Sequence, residues 1–311
     1  MNNIMFMGTP EISATCLQKL IDDGHGICCV VTGEDKPRGR GNVMTPTAVK
    51  SVATRHGIDV HTPRTLRDDA FAELLARYNP EIILVVAYGK ILPKNVIDYP
   101  RLGCVNLHVS LLPKYRGAAP MQRAIMEGEK ETGVTVMYMA EGLDTGDIIT
   151  VEKFPILPTD DFEAIHDRSA EVGARLLSET VDKIFDGTAT RTPQDDSLAC
   201  YAKKVEKEDC KIDFTLSCER LDYIIRGVTP IPGAFCYHNG KMLKINRATP
   251  VSGKGSAGQV IDLSDKGEGH VTVACGDGAL KITTLIPEGK GKMSAGDFVR
   301  GRKIALGDIL E

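Results

Sequence analysis

Asn3-Ile4-Met5-Phe6-Met7-Gly8-Thr9-Pro10-Glu11 opens the chain with a pattern that decides the fold class. An apolar run ending in glycine reads as a buried strand. Thr9-Pro10-Glu11 then reads as a helix start: a capping-type residue, proline in the first turn, and an acid near the positive end of the helix. Ile12, Cys16, Leu20 and Ile21 continue a helical apolar stripe, and Ile27–Val31 is a second apolar run. Strand, helix and strand within about 30 residues form a βαβ unit, which requires parallel pairing and a right-handed crossover.

Working outward, the same alternation recurs. The pattern predicts helices over 47–56 and 68–78, a central strand over 81–86 and another over 103–108. A helix over 118–127, a strand pair over 134–139 and 147–154, and a long helix over 161–185 follow. This is a doubly wound, Rossmann-like α/β domain, placed at residues 1–189. After Gly187 the composition shifts, and residues 190–207 read as a linker without clear period. Beyond it, short alternating runs at 235–238, 242–247, 258–263, 270–274 and 280–286 are separated by turn residues, Asn239-Gly240 being a strong two-residue hairpin signal. Strands at this spacing predict a smaller β-barrel of the OB type over 208–311.

The chain has 311 residues, 42% apolar and 26% charged, with a net charge of −4. That composition supports a large core and argues against long disorder. It is not the strongly basic balance of a dedicated nucleic-acid binder. The nearest thing to a basic patch is Lys36, Arg38 and Arg40, interleaved with Gly39 and Gly41. Nine cysteines lack metal-ligand spacing, so no metal is expected; Cys28 and Cys29 read as small buried hydrophobes, and the odd count fits a reducing compartment. The start of the chain lacks a basic segment before its short apolar run, so no signal peptide is expected. No apolar run approaches the roughly 18 residues of a membrane span. A soluble, cytoplasmic, monomeric protein is therefore expected.

The chemistry concentrates in Asn106-Leu107-His108-Val109-Ser110-Leu111-Leu112-Pro113-Lys114-Tyr115-Arg116-Gly117. Asn106 and His108 lie two apart on a strand and face the same side, at the carboxyl end where open α/β sheets bind ligands. An amide and an imidazole there can hold negative charge developing on a carbonyl oxygen. The apolar Ser110–Pro113 loop suits a flat organic ligand. Gly142-Leu143-Asp144-Thr145-Gly146-Asp147 supplies an acid between two strands. Asp144 could hydrogen-bond and orient His108, or take a proton through water. Singly, each of these residues is most often structural: a strand-end His or Asn, an Asp serving turn geometry.

Together, Asn106-x-His108, Ser110-Leu111-Leu112-Pro113-x-Tyr115-Arg116-Gly117 and Asp144-x-Gly146 resemble the signature of the 10-formyltetrahydrofolate-dependent formyltransferases. The form Arg116-Gly117-Ala118-Ala119-Pro120 resembles the branch acting on methionyl initiator tRNA. The resemblance extends through Met7-Gly8-Thr9-Pro10, the basic loop at 36–41 and Ala87-Tyr88-Gly89-Lys90-Ile91-Leu92-Pro93. It implies a catalytic set of Asn106, His108 and Asp144, needing no metal. It implies folate contacts from Ser110, Leu111, Leu112 and Pro113, and from Tyr88, Gly89, Ile91 and Leu92. Arg40 matches an arginine of a loop that meets the tRNA acceptor end, with Lys36 and Arg38 beside it. The C-terminal domain would help hold the tRNA, although residues 206–311 carry 15 Lys/Arg against 14 Asp/Glu. Phosphate contacts there would need a one-sided arrangement of the basic residues.

Three rivals follow from the same residues. A dinucleotide-binding oxidoreductase would need G-x-G-x-x-G after the first strand, where only Gly8 stands. A family member acting on a sugar-nucleotide or glycinamide ribonucleotide amine would be expected to depart from Arg116–Pro120 or to lack the second domain. A non-catalytic RNA-binding barrel would need exposed aromatics, and Phe235, Tyr237 and Phe298 read as core.

Overall fold

The protein is described by a computed structural model covering residues 2–38 and 41–311, the side chain of Arg38 excepted. Arg40 lies outside the described residues. Two compact units divide the chain. One comprises Met1–Gly117, Glu131–Phe154 and His166–Ala202; the other comprises Ala118–Lys130, Pro155–Ile165 and Lys203–Glu311.

The first unit is built on a seven-stranded sheet. Its spatial order is Ile148–Pro155, Glu131–Tyr138, Cys104–His108, Ile82–Val86, Ile4–Gly8, Ile27–Val31, Val60–His61. Ile4–Gly8 pairs in parallel with both Ile27–Val31 and Ile82–Val86, and Cys104–His108 continues the parallel run. Glu131–Tyr138 then joins antiparallel, with His108 opposite Thr135. Ile4 to Met7 and Ile82 to Leu84 have no exposed surface, as strands covered on both faces require. The chain winds away from Ile4–Gly8 in one direction through Val60–His61 and in the other from Ile82–Val86 onward. The reversal lies between these two central strands, and crevices for ligands open beyond the carboxyl ends at such a point.

Helix Glu11–Asp22 starts at Pro10 without a side-chain cap. Thr9, expected to cap it, acts elsewhere: its hydroxyl bonds the Tyr88 carbonyl and accepts from Gly33 N–H, both at 3.3 Å. It thus ties together the exits of three strands, where buried backbone groups outside the ladder need partners. Helices Ala48–Arg55 and Asp69–Tyr78 are capped as their sequences suggest, Thr47 accepting from Lys50 N–H and Asp68 from Phe71 N–H at 3.0 Å each. Residues 190–207, read as a linker, are bonded to this unit as far as Ala202. Thr192 bridges Ile148, and Tyr201–Ala202 pairs in parallel with Arg116–Gly117.

The second unit carries an antiparallel sheet ordered Ala234–His238, Lys241–Val251, Ala279–Pro287, His270–Ala274, Val260–Ser264, with Met293–Ser294 added to Ala279–Pro287. Asn239 and Gly240 make the tight turn at φ of 51° and 73°, with His238 opposite Lys241. Leu310 bridges His238 and Ile309 bridges Gln259, so the last residues join the two edges of the sheet. Helix Cys218–Val228, absent from the sequence reading, buries Leu221, Ile225 and Val228 in the core of this unit and is capped by Ser217. Phe235 and Phe298 belong to that core.

Candidate active site

Cys104–His108 carries its two polar residues to the mouth of the sheet because its other residues, Cys104, Val105 and Leu107, are apolar and fully packed. Among the described residues, no protein group hydrogen-bonds the Asn106 carboxamide, which is half-buried and open to a ligand. His108 is 6% exposed. Its Nε2 lies 3.0 Å from the Tyr115 carbonyl oxygen. A carbonyl only accepts, so Nε2 carries the proton and Nδ1 is the nitrogen left to act.

Nδ1 faces Asp144. The separation from Oδ2 is 3.7 Å, too long for the hydrogen bond that the sequence suggested, and the two form an ion pair only when Nδ1 also carries a proton. The Asp144 carboxylate is held from another direction, with Oδ2 accepting the Gly117 N–H at 2.8 Å. Asp144 sits in the left-handed region at φ of 52°, a conformation that aspartate tolerates better than most residues and that the surroundings must maintain. Two glycines make the arrangement possible. Gly117 has φ of 122°, and a Cβ there would stand 2.8 Å from the Ala202 carbonyl. A Cβ on Gly146 would stand 1.7 Å from the Tyr138 carbonyl, an overlap that nothing but backbone displacement could relieve.

The 110–113 loop leaves the strand tightly bonded. Ser110 is fully buried and its hydroxyl donates to the Lys114 carbonyl at 2.8 Å. Thr135 Oγ1 donates to the Ser110 carbonyl at 2.7 Å and accepts from Leu112 N–H at 3.3 Å. The hydroxyl of Ser110 is therefore engaged inside the loop. Leu111 and Pro113 are half-buried, whereas Leu112 packs inward. Across the mouth, the segment after Ile82–Val86 divides its residues. Tyr88 and Leu92 join the core of the first unit, while Gly89 and Ile91 are exposed, Ile91 at 86%. Burial pushes the Tyr88 phenol up to about 12, and its hydroxyl has no hydrogen-bond partner among the described residues. An exposed isoleucine near the carboxyl end of a central strand is an unsatisfied apolar surface of the kind a flat ring system covers.

Lys36 is exposed on strand Lys36–Arg38, which pairs with Val43–Thr45. Val43 and Met44 on that partner strand are 66% and 61% exposed.

Sequence reasoning missed three contributors. Thr135 is one of several threonines in strand-like sequence and nothing local marks it. Arg116 was read only as part of a motif, yet it is 2% exposed, with its guanidinium on Gln194 and Asp196. Gln194 lay inside the presumed linker.

Comparison with known proteins bears on the whole chain. The formyl transferase family matches residues 1–181, and the formyl transferase C-terminal domain matches residues 204–303. The methionyl-tRNA formyltransferase of Geotalea uraniireducens is 46% identical over 307 residues, covering 99% of this chain and 97% of that protein. That of Halalkalibacterium halodurans is 45% identical over 312 residues, covering 99% and 98%. Among solved structures, an N-formyltransferase of Helicobacter canadensis, in complex with folinic acid and dTDP-3-aminofucose, superposes with a TM-score of 0.68 at 20% identity, over 91% of this chain and 98% of that one. HypX from Aquifex aeolicus, in complex with tetrahydrofolic acid, gives 0.66 at 21% identity over 96% of this chain, which spans 46% of HypX.

Proposed function

Because this chain belongs to the formyl transferase family, we propose that it transfers the formyl group of 10-formyltetrahydrofolate to the α-amine of methionyl initiator tRNA. The observation that carries the proposal is the meeting of His108 and Asp144 at 3.7 Å beside the open Asn106 amide, at the carboxyl end of one strand. The choice of acceptor is supported by relatives of that name at 41–46% identity over nearly all of this chain. The enzyme is expected to work as a monomer in the cytoplasm.

The donor supplies an electrophilic formyl carbon on a nitrogen leaving group. Attack by the neutral amine moves an electron pair onto the formyl oxygen and releases a proton from nitrogen. Asn106 would donate to that oxygen, a contact of the kind worth about 2.7–4 kcal/mol in a transition state. His108, with Nε2–H fixed by Tyr115, would receive the amine proton at Nδ1, directly or through water. Asp144 faces the nitrogen that gains the charge. The cationic ring then assists Asn106 at the oxyanion and returns the proton as the folate nitrogen departs. Leu111 and Pro113 on one side and Gly89 and Ile91 on the other would form the walls for the folate ring. Leu112, Tyr88, Leu92 and the Ser110 hydroxyl would act behind them as supports.

For the tRNA, we place Lys36, Arg38 and Arg40 at the acceptor end and the C-terminal domain, 208–311, along the remainder. Exposure of Lys36 beside apolar Val43 and Met44 supports this.

The test is formyl transfer from 10-formyltetrahydrofolate, offering methionyl initiator tRNA, free methionine and a dTDP-amino sugar in parallel. Formylation of the tRNA-bound methionine alone is the expected result. Formylation of the sugar, with none of the tRNA, overturns the assignment.

A further inference from the structure

The stretch 192–202 lies across both halves of the site. On the His108 side, the Cys200 carbonyl accepts from Arg116 N–H at 2.9 Å, and Tyr115 N–H donates to the Cys200 sulfur at 3.2 Å. Tyr115 is the residue whose carbonyl fixes the His108 ring. On the Asp144 side stands Gln194. Its Nε2 donates to the Asp144 carbonyl at 2.9 Å and to the Gly146 carbonyl at 2.8 Å. Its Oε1 accepts from Arg116 Nε at 3.1 Å and Nη2 at 2.8 Å. Arg116, 2% exposed, also donates to Asp196 at 2.7 Å.

One amide therefore joins the backbone of the Asp144 turn to the Arg116–Gly117 segment, beside the direct bond from Gly117 N–H to the Asp144 carboxylate. Its donor end grips the turn that contains Asp144, in a backbone conformation that needs outside support. Its acceptor end is locked by a buried guanidinium at the start of the Gly117 segment, whose N–H holds the Asp144 carboxylate. A glutamine is suited to this place because it alone among side chains of that length both donates and accepts; glutamate could satisfy Arg116 but would present oxygen to two carbonyl oxygens.

We propose that Gln194 is a positioning residue of the transfer reaction, holding the Asp144 turn at its working distance from His108 through the Arg116 guanidinium. The proposal rests on the catalytic reading of Asn106, His108 and Asp144 given above. Misplacement of a reacting group by about 1 Å lowers turnover by around 100-fold, and that is the loss expected in kcat for Gln194→Glu, which keeps the bonds from Arg116 and removes the donor. KM for folate and for tRNA should stay within about threefold, since ground-state binding is untouched.

The deciding measurement is a double-mutant cycle with Asp144→Asn in the full-length enzyme. With the carboxylate neutralised, Gln194→Glu should reduce kcat less than about threefold further, because contacting groups that act as one unit are not additive. An undiminished 100-fold loss in that background, a loss confined to KM, or turnover near wild type in Gln194→Glu alone each overturns the positioning role. Gln194→Met, which preserves length without either bonding end, replaces Gln194→Glu if the added charge prevents folding. Failure of both to fold overturns the proposal by making Gln194 a staple of the fold. Should Asp144→Asn itself retain full turnover, the catalytic reading falls and this inference falls with it. If Asp144→Asn collapses turnover and Gln194→Glu does not, only the positioning role is lost.

Discussion

The mouth of the parallel sheet and the strand pair Lys36–Arg38 with Val43–Thr45 are both assigned to ligand contact, and they are built in opposite ways. At the mouth, His108, Ser110 and Arg116 are between 0% and 6% exposed, and each makes a hydrogen bond to a neighbouring segment. On the strand pair, Lys36, Val43 and Met44 project into solvent. The difference fits the two tasks proposed for them. Stabilising charge on one atom requires donors fixed to fractions of an ångström in a region that excludes water. Meeting a polyanion requires charge at the surface, where it acts through space, and apolar groups free to slide against bases.

The contrast breaks most visibly at the trio. His108→Ala and Asn106→Ala should each lower kcat by about 10²–10³-fold with the melting temperature little changed, since removal of one oxyanion donor has effects of that size. Turnover near wild type in both would mean that the mouth is not the reaction centre. Next comes rigidity. Gly146→Ala forces the backbone away from the Tyr138 carbonyl and should destabilise the protein by about 3 kcal/mol, read by thermal melting. An unchanged melting curve would show that the Asp144 turn yields easily, contrary to the fixed geometry described. The exposed strand pair should respond more weakly. Lys36→Ala should leave folate binding and saturated turnover alone, raise KM for tRNA a few-fold, and reduce the slope of log affinity against log salt by just under one. An effect on folate binding instead would move Lys36 to the mouth. The smallest change is expected from Tyr88→Phe. Removing a buried hydroxyl that has no partner should shift stability by no more than about 1 kcal/mol, toward greater stability. A loss of folate affinity there would give that hydroxyl a ligand.

Much of the scaffold was legible because its cause is local. Runs such as Ile82–Val86 can be read as central strands, since a strand covered on both faces has no polar side to show. Asn106 and His108 were recognised as facing together from the period of a strand alone. Helix Cys218–Val228 was also legible, with Ser217 before it and Leu221, Ile224, Ile225 and Val228 at helical spacing. The hairpin signals that follow it are stronger and mask it. Residues 190–207 are a different matter. Their polar, aperiodic composition is that of a linker, and their order comes from bonds such as Gln194 to Gly146 and Arg116, 48 and 78 residues away in sequence.

By itself the sequence determined the βαβ opening, the strand that carries Asn106 and His108, the tight turn at Asn239-Gly240, and the residue types available for chemistry. Each depends on backbone preference or side-chain period within a few neighbours. The tertiary structure decided that Nε2 of His108 is occupied by Tyr115, that Asp144 is aimed by Gly117, and that the Ser110 hydroxyl is turned inward. It also decided that a buried arginine and a glutamine brace the turn. These are matters of direction at distances near 3 Å between segments far apart in the chain, and no local pattern encodes which of many polar groups will meet.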